Sequence, residues 1–260
     1  MHPPVASDAH FMNTYTLQEK VALITGAGGT MGRAVVRGLI ADGCRVALID
    51  VNPASLTPLQ GEYGSRVCAE VCDISDEHAV AAAHARIVQC FGPVDILVNN
   101  AGILSNNKIE ATGAAEWKRV MGANLDGAFF WSQAVVPAMK ARRWGRIINT
   151  SSLAAKTGGL TAGTAYSVSK GALTALTFSL ARELAAFGIT ANGIAPAYVK
   201  TPMITEQLND AQREELLRQI PVGRFCEPEE FAHAVRFLAS PLAGFITGEI
   251  LDLNGGLLMD

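Results

Sequence analysis

Tyr166 and Lys170 stand four residues apart in Ala165–Phe187, a stretch whose apolar spacing predicts a helix. On a helix that separation puts both side chains on one face, the ammonium close to the phenol. Such a pair is suited to proton transfer. A tyrosine is normally protonated at neutral pH, with a pKa of about 10. Lowering it by about 3 units takes roughly 4 kcal/mol of preference for the phenolate. One cation at about 4 Å supplies on the order of 4 kcal/mol at an effective dielectric near 20. Desolvation opposes this, but the magnitudes permit Tyr166 to act as a general base or a general acid. The same Tyr-x-x-x-Lys spacing occurs on helices that do no chemistry, so the pair needs a context. Ser152, just after a strand expected at Arg146–Thr150, could stabilise a developing negative oxygen or be an ordinary strand-end residue. Asn124, within a long helix expected over Ala114–Arg142, could serve the site or cap a bend.

A second cluster of small residues follows the first strand. Val21–Thr25 runs into Gly26-Ala27-Gly28-Gly29-Thr30-Met31-Gly32, and a helix is expected from Met31 to Ala41. A phosphate-binding turn needs this placement: glycines admit the pyrophosphate to the backbone, and the helix start offers free N–H groups and a positive dipole. A tight strand–helix turn without a ligand accounts for the same glycines. Asp50 ends the second strand, Arg45–Asp50, where an acid can accept both ribose hydroxyls of NAD and repel the 2′-phosphate of NADP. No basic residue follows in Val51-Asn52-Pro53 and Gly29 brings none to the turn, so NAD is the expected cofactor. Asp50 could also act as a turn or cap residue before Pro53, and the two roles are compatible.

Further strands are expected at Arg66–Cys72, Val94–Asn99, Ile189–Ile194 and Ile250–Leu253, with helices at Asp76–Cys90 and Pro228–Ala239 and a possible kink at Pro137. Apolar runs joined by helical crossovers imply an α/β fold, a Rossmann-type doubly wound parallel sheet of about seven strands in a single domain. The 260 residues and 49% hydrophobic content suit that reading. The N-terminal residues 1–16 read as a loose tail with no signal peptide, and 197–221 as a mobile flap over the site or, equally, a surface helical excursion. A net charge of −3 leaves no footprint for nucleic acid or an anionic membrane, and no apolar run is long enough to span a bilayer. Five cysteines without a C-x-x-C pair point to a reducing, cytoplasmic compartment, with Cys68 and Cys72 as small apolar fillers. The five histidines form no ligand spacing, so no metal is expected.

In their order, Thr25–Gly32, Asp73, Asn99-Asn100-Ala101-Gly102, Asn124, Ser152, Tyr166-x-x-x-Lys170 and Asn192–Thr201 resemble the short-chain dehydrogenase/reductase family over about Leu17 to Met259. Pro221–Phe225 and Phe245–Gly248 are similar to its 3-oxoacyl-reductase-like members. The resemblance implies hydride transfer between a nicotinamide dinucleotide and a carbonyl or alcohol. It makes Asn124, Ser152, Tyr166 and Lys170 the catalytic set, with Asn124 holding a water that links Lys170 to solvent and Lys170 also binding the nicotinamide ribose. It implies cofactor contacts from Gly26, Gly28, Thr30 and Met31 in the turn and from Asp50 and Val51 after the second strand. Asp73 and Ile74 would meet the adenine, Asn100, Ala101 and Gly102 the adenosine ribose side, and Pro196, Val199 and Thr201 the nicotinamide end. Asn99–Gly102 could also simply stabilise the sheet end. The long helix and Ala165–Phe187 would pair across two-fold axes in a homotetramer.

Three departures stand out. Thr30 replaces the middle glycine of the turn, a loss that Gly28 and Gly29 could make good. Pro196-Ala197 stands where the family has Pro-Gly, and the span from Ser152 to Tyr166 is one residue longer than expected. The substrate pocket is expected from Leu104, Leu153, Ala154–Thr164, Tyr198 and Met203–Leu217, apolar enough for an uncharged or modestly polar small molecule. The leading expectation is an NAD(H)-dependent secondary-alcohol dehydrogenase or ketone reductase. The alternatives are a 3-oxoacyl-acyl-carrier-protein reductase and a catalytically silent dinucleotide sensor. Arg142 and Arg143 could grip an acidic carrier, although Phe187 stands where a second basic residue would be wanted.

Overall fold

Short aliphatic runs form the frame. In the computed structural model, which describes residues 16–202 and 209–259, they become β1 (Val21–Thr25), β2 (Arg45–Asp50), β3 (Val67–Val71), β4 (Ile96–Asn99), β5 (Gly145–Thr150), β6 (Ile189–Pro196) and β7 (Ile250–Leu253). Every pairing is parallel, and the order is β3-β2-β1-β4-β5-β6-β7. Strands β1, β4 and β5 are buried along their whole length, as near-continuous hydrophobic strands covered on both faces must be.

Alternate strand residues feed two separate cores. On one face Ile24, Leu48, Val98 and Ile148 pack against α1 (Thr30–Ala41), α2 (Pro53–Tyr63) and, further along the chain, the helix Pro228–Ala239 with its fully buried Phe231. On the other, Leu23, Ile49, Leu97 and Ile147 meet α3 (Glu77–Phe91) and two later helices through Trp131, Met139 and Leu184. This is the expected doubly wound α/β architecture. Strand order reverses between β1 and β4, and the crevice at their carboxyl ends is where such sheets take ligands.

The expected long helix is broken in two. α4 (Ala114–Met121) runs into one wide π turn, Gly122–Asp126, and continues as α5 (Gly127–Arg142). The interruption sits at Asn124; Pro137 lies inside α5 without ending it. The short α6 (Ala154–Thr157) precedes α7 (Thr164–Leu184), and α8 (Asp210–Gln219) and α9 (Pro228–Ala239) follow β6. Of the expected flap, residues 203–208 lie outside the described residues, as does the expected tail up to residue 15; α8 is the described regular part of the flap. α2 has no counterpart in the expected elements. Asn52 caps it by accepting from the Ala54 N–H and Pro53 opens it, a readable start signal, but Pro58 inside it and the lack of an apolar stripe concealed it. Among the described residues no helix is long and apolar enough to cross a membrane.

Candidate active site

Gly26 leaves β1 with φ of +65°, and a Cβ there would stand 3.0 Å from the Ala101 Cα. Gly32 has no room for one either: its Cβ would fall 2.1 Å from the Gly26 carbonyl oxygen. A Cβ on Gly28 would fall 1.9 Å from Ser55 Oγ, so that position is closed to a side chain as well. Gly29 is extended at φ −76°, where a Cβ would make ordinary contact with the Gly26 carbonyl oxygen at 3.5 Å, and Thr30 is the first residue of α1.

The turn is latched from two sides. Thr25 Oγ1 accepts from the Asn100 and Ala101 N–H groups, each at 3.0 Å, while Asn100 Nδ2 donates to the Thr25 and Gly26 carbonyls at 3.0 and 3.2 Å. The Asn99–Gly102 segment thus does brace the sheet end; Asn99 extends the brace by donating to Asn149 Oδ1 at 2.9 Å. Asp50 supplies the second latch. Its Oδ2 accepts from the Gly28 N–H and its Oδ1 from the Asn52 N–H, both at 3.0 Å. Arg33, which sequence reasoning passed over, donates to the Gly28 and Ser55 carbonyls at 2.7 Å and ties the turn to α2.

These features fit a dinucleotide. α1 begins at Gly29 with no side-chain cap and no acidic residue in its first turn, leaving its N–H groups for an anion. Val51 is exposed beside Asp50. Asp73 Oδ1 accepts from the Ser75 N–H and hydroxyl, closing a turn at the end of β3. Ile74 is buried, with its side chain packed against Gly127.

Beyond the turn opens a cavity of about 300 Å³, whose lining takes in Met31, Asn100, Gly102, Ser152, Tyr166 and Lys170, and at its far side Pro196, Val199 and Thr201. Of the expected pocket residues, Leu104, Leu153 and Tyr198 also face it. After Pro196-Ala197, Tyr198 takes φ of +48°, next to the bridge of Val199 to Cys226.

The two serines separate cleanly. Ser151 Oγ bonds the Lys170 carbonyl and Thr174 Oγ1 at 3.2 and 2.9 Å, a structural role, whereas the Ser152 hydroxyl reaches the Tyr166 phenol and accepts from the Ala154 N–H at 3.1 Å. Burial pushes the phenol above its ordinary pKa, and the Ser152 hydrogen bond only partly offsets that. Lys170 Nζ lies 5.7 Å from the centre of the Tyr166 ring and donates to the Thr150 carbonyl at 2.6 Å. Burial without a carboxylate partner holds the Lys170 amine down at about 8.

Asn124 sits behind this pair. Its Nδ2 donates to the Ile103 carbonyl at 3.1 Å and to Ser169 Oγ at 3.0 Å, and its Oδ1 accepts from the Ile103 N–H at 2.8 Å. Both amide protons are committed, so any water it holds has to donate to Asn124 rather than accept from it. A Cβ on Gly102 would touch Asn124 Oδ1 at 3.2 Å and Lys170 Nζ at 3.3 Å, so this glycine keeps the two groups adjacent to an open space. Ile103, Ser169 and Thr150 carry no sequence signal of their own, since their contributions are three backbone groups and a relaying hydroxyl. Among the described residues no group of three or more His, Cys, Asp or Glu side chains could hold a metal.

The chain matches a family model described as Enoyl-(Acyl carrier protein) reductase over residues 26–258. It is 39% identical over 244 residues to the 3-oxoacyl-(acyl-carrier-protein) reductase FabG of Vibrio cholerae serotype O1, covering 94% of this chain and 99% of that one. It is 41% identical over 246 residues to Nodulation protein G of Azospirillum brasilense, covering 93% and 99%. A solved structure titled Crystal structure of gox2181 superposes with a TM-score of 0.90 at 30% identity, covering 95% of this chain and 98% of that one.

The lowered Lys170 pKa has a consequence for stability. Between about 8 and the ordinary 10.5 the unfolded chain binds the proton that the folded chain has released, so the folded state gains stability as pH rises through that window. The desolvation penalty is fully present below the window. Urea unfolding of the protein and of Lys170→Met should therefore show the stability difference moving in favour of the unsubstituted protein from neutral pH to the top of the window. A difference independent of pH would contradict the buried, unpaired amine.

Proposed function

Because the chain belongs to the short-chain dehydrogenase/reductase family, among its 3-oxoacyl-reductase-like members, whose cofactors are nicotinamide dinucleotides, we propose that it is an NAD(H)-dependent oxidoreductase interconverting a secondary alcohol and a ketone on a small molecule. The observation that carries this reading is the meeting of the Tyr166 phenol and the Ser152 hydroxyl at the wall of a cavity that includes Lys170 and extends to Met31 at the glycine turn.

When bound, the dinucleotide supplies or takes up the hydride. Gly26, Gly28, Thr30 and Met31 hold its pyrophosphate, Asp50 and Val51 its adenosine ribose, and Asp73 with Ile74 its adenine. Asn100, Ala101 and Gly102 line the ribose side, Pro196, Val199 and Thr201 the nicotinamide, and Lys170 the nicotinamide ribose. Ser152 hydrogen-bonds the substrate oxygen and stabilises charge on it. Tyr166 gives that oxygen a proton in reduction and takes it back in oxidation. Burial keeps the phenol in its proton-donating form at neutral pH. Lys170 and Asn124 then link the phenol to solvent protons.

NAD rather than NADP is supported by the Asp50 carboxylate, which is fixed beside the Gly28 N–H where a 2′-phosphate would meet a like charge. A second reading, reduction of a carrier-bound 3-oxoacyl group, is favoured by the name of the Vibrio relative. Against it stand Asp50 and the two arginines expected to grip a carrier. Arg142 is bound to the Val94 carbonyl and Asp95 ahead of β4, and Arg143 to the Ala186 carbonyl ahead of β6, at the amino ends of the strands, opposite the carboxyl end of β5 that Ser152 follows.

Residues 17–260 act as one catalytic unit in this reading, in the reducing cytoplasm, with the five cysteines free. The apolar side chains of Trp117 and Phe129 on α4 and α5, and of Val168 and Phe178 on α7, are exposed in the single chain and suit burial against other copies in a homotetramer. Light scattering should report four copies per particle, and Phe178→Glu should lower that number; a monomeric native protein would remove the assembly from the proposal.

A panel of ketones and secondary alcohols, run with NAD(H) and with NADP(H), tests the activity. Tyr166→Phe should lower kcat/KM by about a thousand-fold. Full turnover by this variant would remove Tyr166 as the proton carrier, and no turnover by the unsubstituted protein on any member would favour a silent sensor. Asp50→Asn keeps an acceptor for Gly28 but drops the charge. It should cut the preference for NAD over NADP by about ten-fold or more, and an unchanged ratio would discard the electrostatic account of cofactor choice.

A further inference from the structure

Between Ser152 and Tyr166 the pocket wall folds back on itself. α6 ends at Thr157, and Gly158 and Gly159 follow with φ of +75° and +84°, turning the chain so that Leu160, Thr161 and Ala162 line the cavity. A side chain at Gly159 would strike Ser167 Oγ at 2.2 Å. Among the described residues the N–H groups of Leu160, Thr161 and Ala162 find no protein acceptor. What spans this segment is Lys108, whose Nζ donates to the Gly159 carbonyl at 3.0 Å and to the Ala162 carbonyl at 2.6 Å, one on each side of the fold-back.

The same stretch holds the catalytic helix. The Ser105 carbonyl accepts from the Gly163 N–H at 2.7 Å and the Asn107 carbonyl from the Thr164 N–H at 3.0 Å, so two N–H groups at the start of α7 are satisfied by it. Ser105 and Asn107 are in turn bonded to the Glu116 carboxylate on α4. The far end of the wall is anchored separately, by Lys156 Nζ to Asp252 Oδ2 on β7 at 2.7 Å. The wall is therefore slung between two ammonium groups, and Lys108 holds the end that carries the cavity-lining residues.

We propose that Lys108 is a positioning residue for substrate selection: by bridging the Gly159 and Ala162 carbonyls it sets how far the 160–162 wall stands from Ser152 and Tyr166, and so how bulky a group beside the reacting carbonyl is admitted. This rests on the reading of the cavity as the substrate site. It does not make Lys108 a ligand of the substrate, since its ammonium is turned to the wall's own carbonyls.

The test compares the protein with Lys108→Met and Lys108→Arg in two measurements. Amide hydrogen exchange at Gly158, Gly159, Gly163 and Thr164, whose N–H groups are bonded on the two flanks of the wall, reads its anchoring without any reaction. Loss of the bridge should lower protection there by about ten-fold. Steady-state reduction of ethyl acetoacetate and ethyl benzoylacetate with NADH reads selection. Lys108→Met should raise the kcat/KM ratio of the bulky to the small ester by about five-fold, through KM, with kcat within about two-fold. Lys108→Arg retains donors for both carbonyls and should restore both readouts. Should Lys108→Met not fold, Lys108→Gln, with a shorter side chain and a neutral donor, takes its place in both. Unchanged protection overturns the proposal, as does a fall in kcat at constant KM for both esters. If neither ester is turned over by the unsubstituted protein, a small and a bulky ketone that the panel above shows to be substrates replace them; if the panel yields none, the activity proposed above fails and the exchange result alone decides whether Lys108 holds the wall.

Discussion

One ammonium withdrawn from water sets the terms for the site. Lys170 is buried, carries no carboxylate beside it, and has a single strong acceptor in the carbonyl that closes β5. A carbonyl dipole compensates a desolvated charge only partly, which is why the amine titrates within reach of neutral pH. The frame around it has to be rigid. The acceptor belongs to a fully buried strand, the lysine to a helix packed on that strand's face, and the neighbouring Asn124 to a π turn locked onto both backbone groups of Ile103. The unfavourable solvation of one group is thereby stored where a proton has to come and go.

Much of this architecture could be read from residue types. Aliphatic runs bounded by helical spacing are sufficient for a parallel sheet, and the order of the glycine turn, Asp50, Ser152 and the Tyr166–Lys170 pair is sufficient for the crevice they share. What could not be read depends on contacts remote in sequence or on backbone detail. α2 begins with a clear Asn-Pro signal, yet its internal proline and missing apolar stripe argue against a helix. The π turn is written in Gly122–Asp126, which contains no proline to betray it, whereas Pro137, the visible suspect, leaves α5 intact. Residue types do not say which residue after Pro196 turns left-handed either; in the fold it is Tyr198. Spacing along a helix places Tyr166 and Lys170 on one face but does not report that the amine donates to the Thr150 carbonyl.

Family likeness and local chemistry speak to different questions. The agreement with the 3-oxoacyl reductases and with the solved neighbour extends over nearly the whole chain, and the matched span includes the helix that carries both the phenol and the lysine. Partner choice in the proposed reading rests on local residues: an acid at the end of β2, no basic residue from Gly26 to Gly32, and arginines bound to carbonyls at the amino ends of β4 and β6. A shared scaffold therefore constrains the reaction type more tightly than the partner molecules.

In the proposed reading the carboxylate of Asp50 has two tasks at once, because the atom that accepts from Gly28 belongs to the group that would repel a 2′-phosphate. Nucleotide choice and loop shape are consequently not independent characters in this chain. A descendant that exchanged the acid for a small or basic residue would change its diet of dinucleotide and also release the turn, and would have to find a new acceptor for that N–H in the same step or soon after. Drift toward the phosphorylated cofactor would then proceed through paired substitutions rather than single ones.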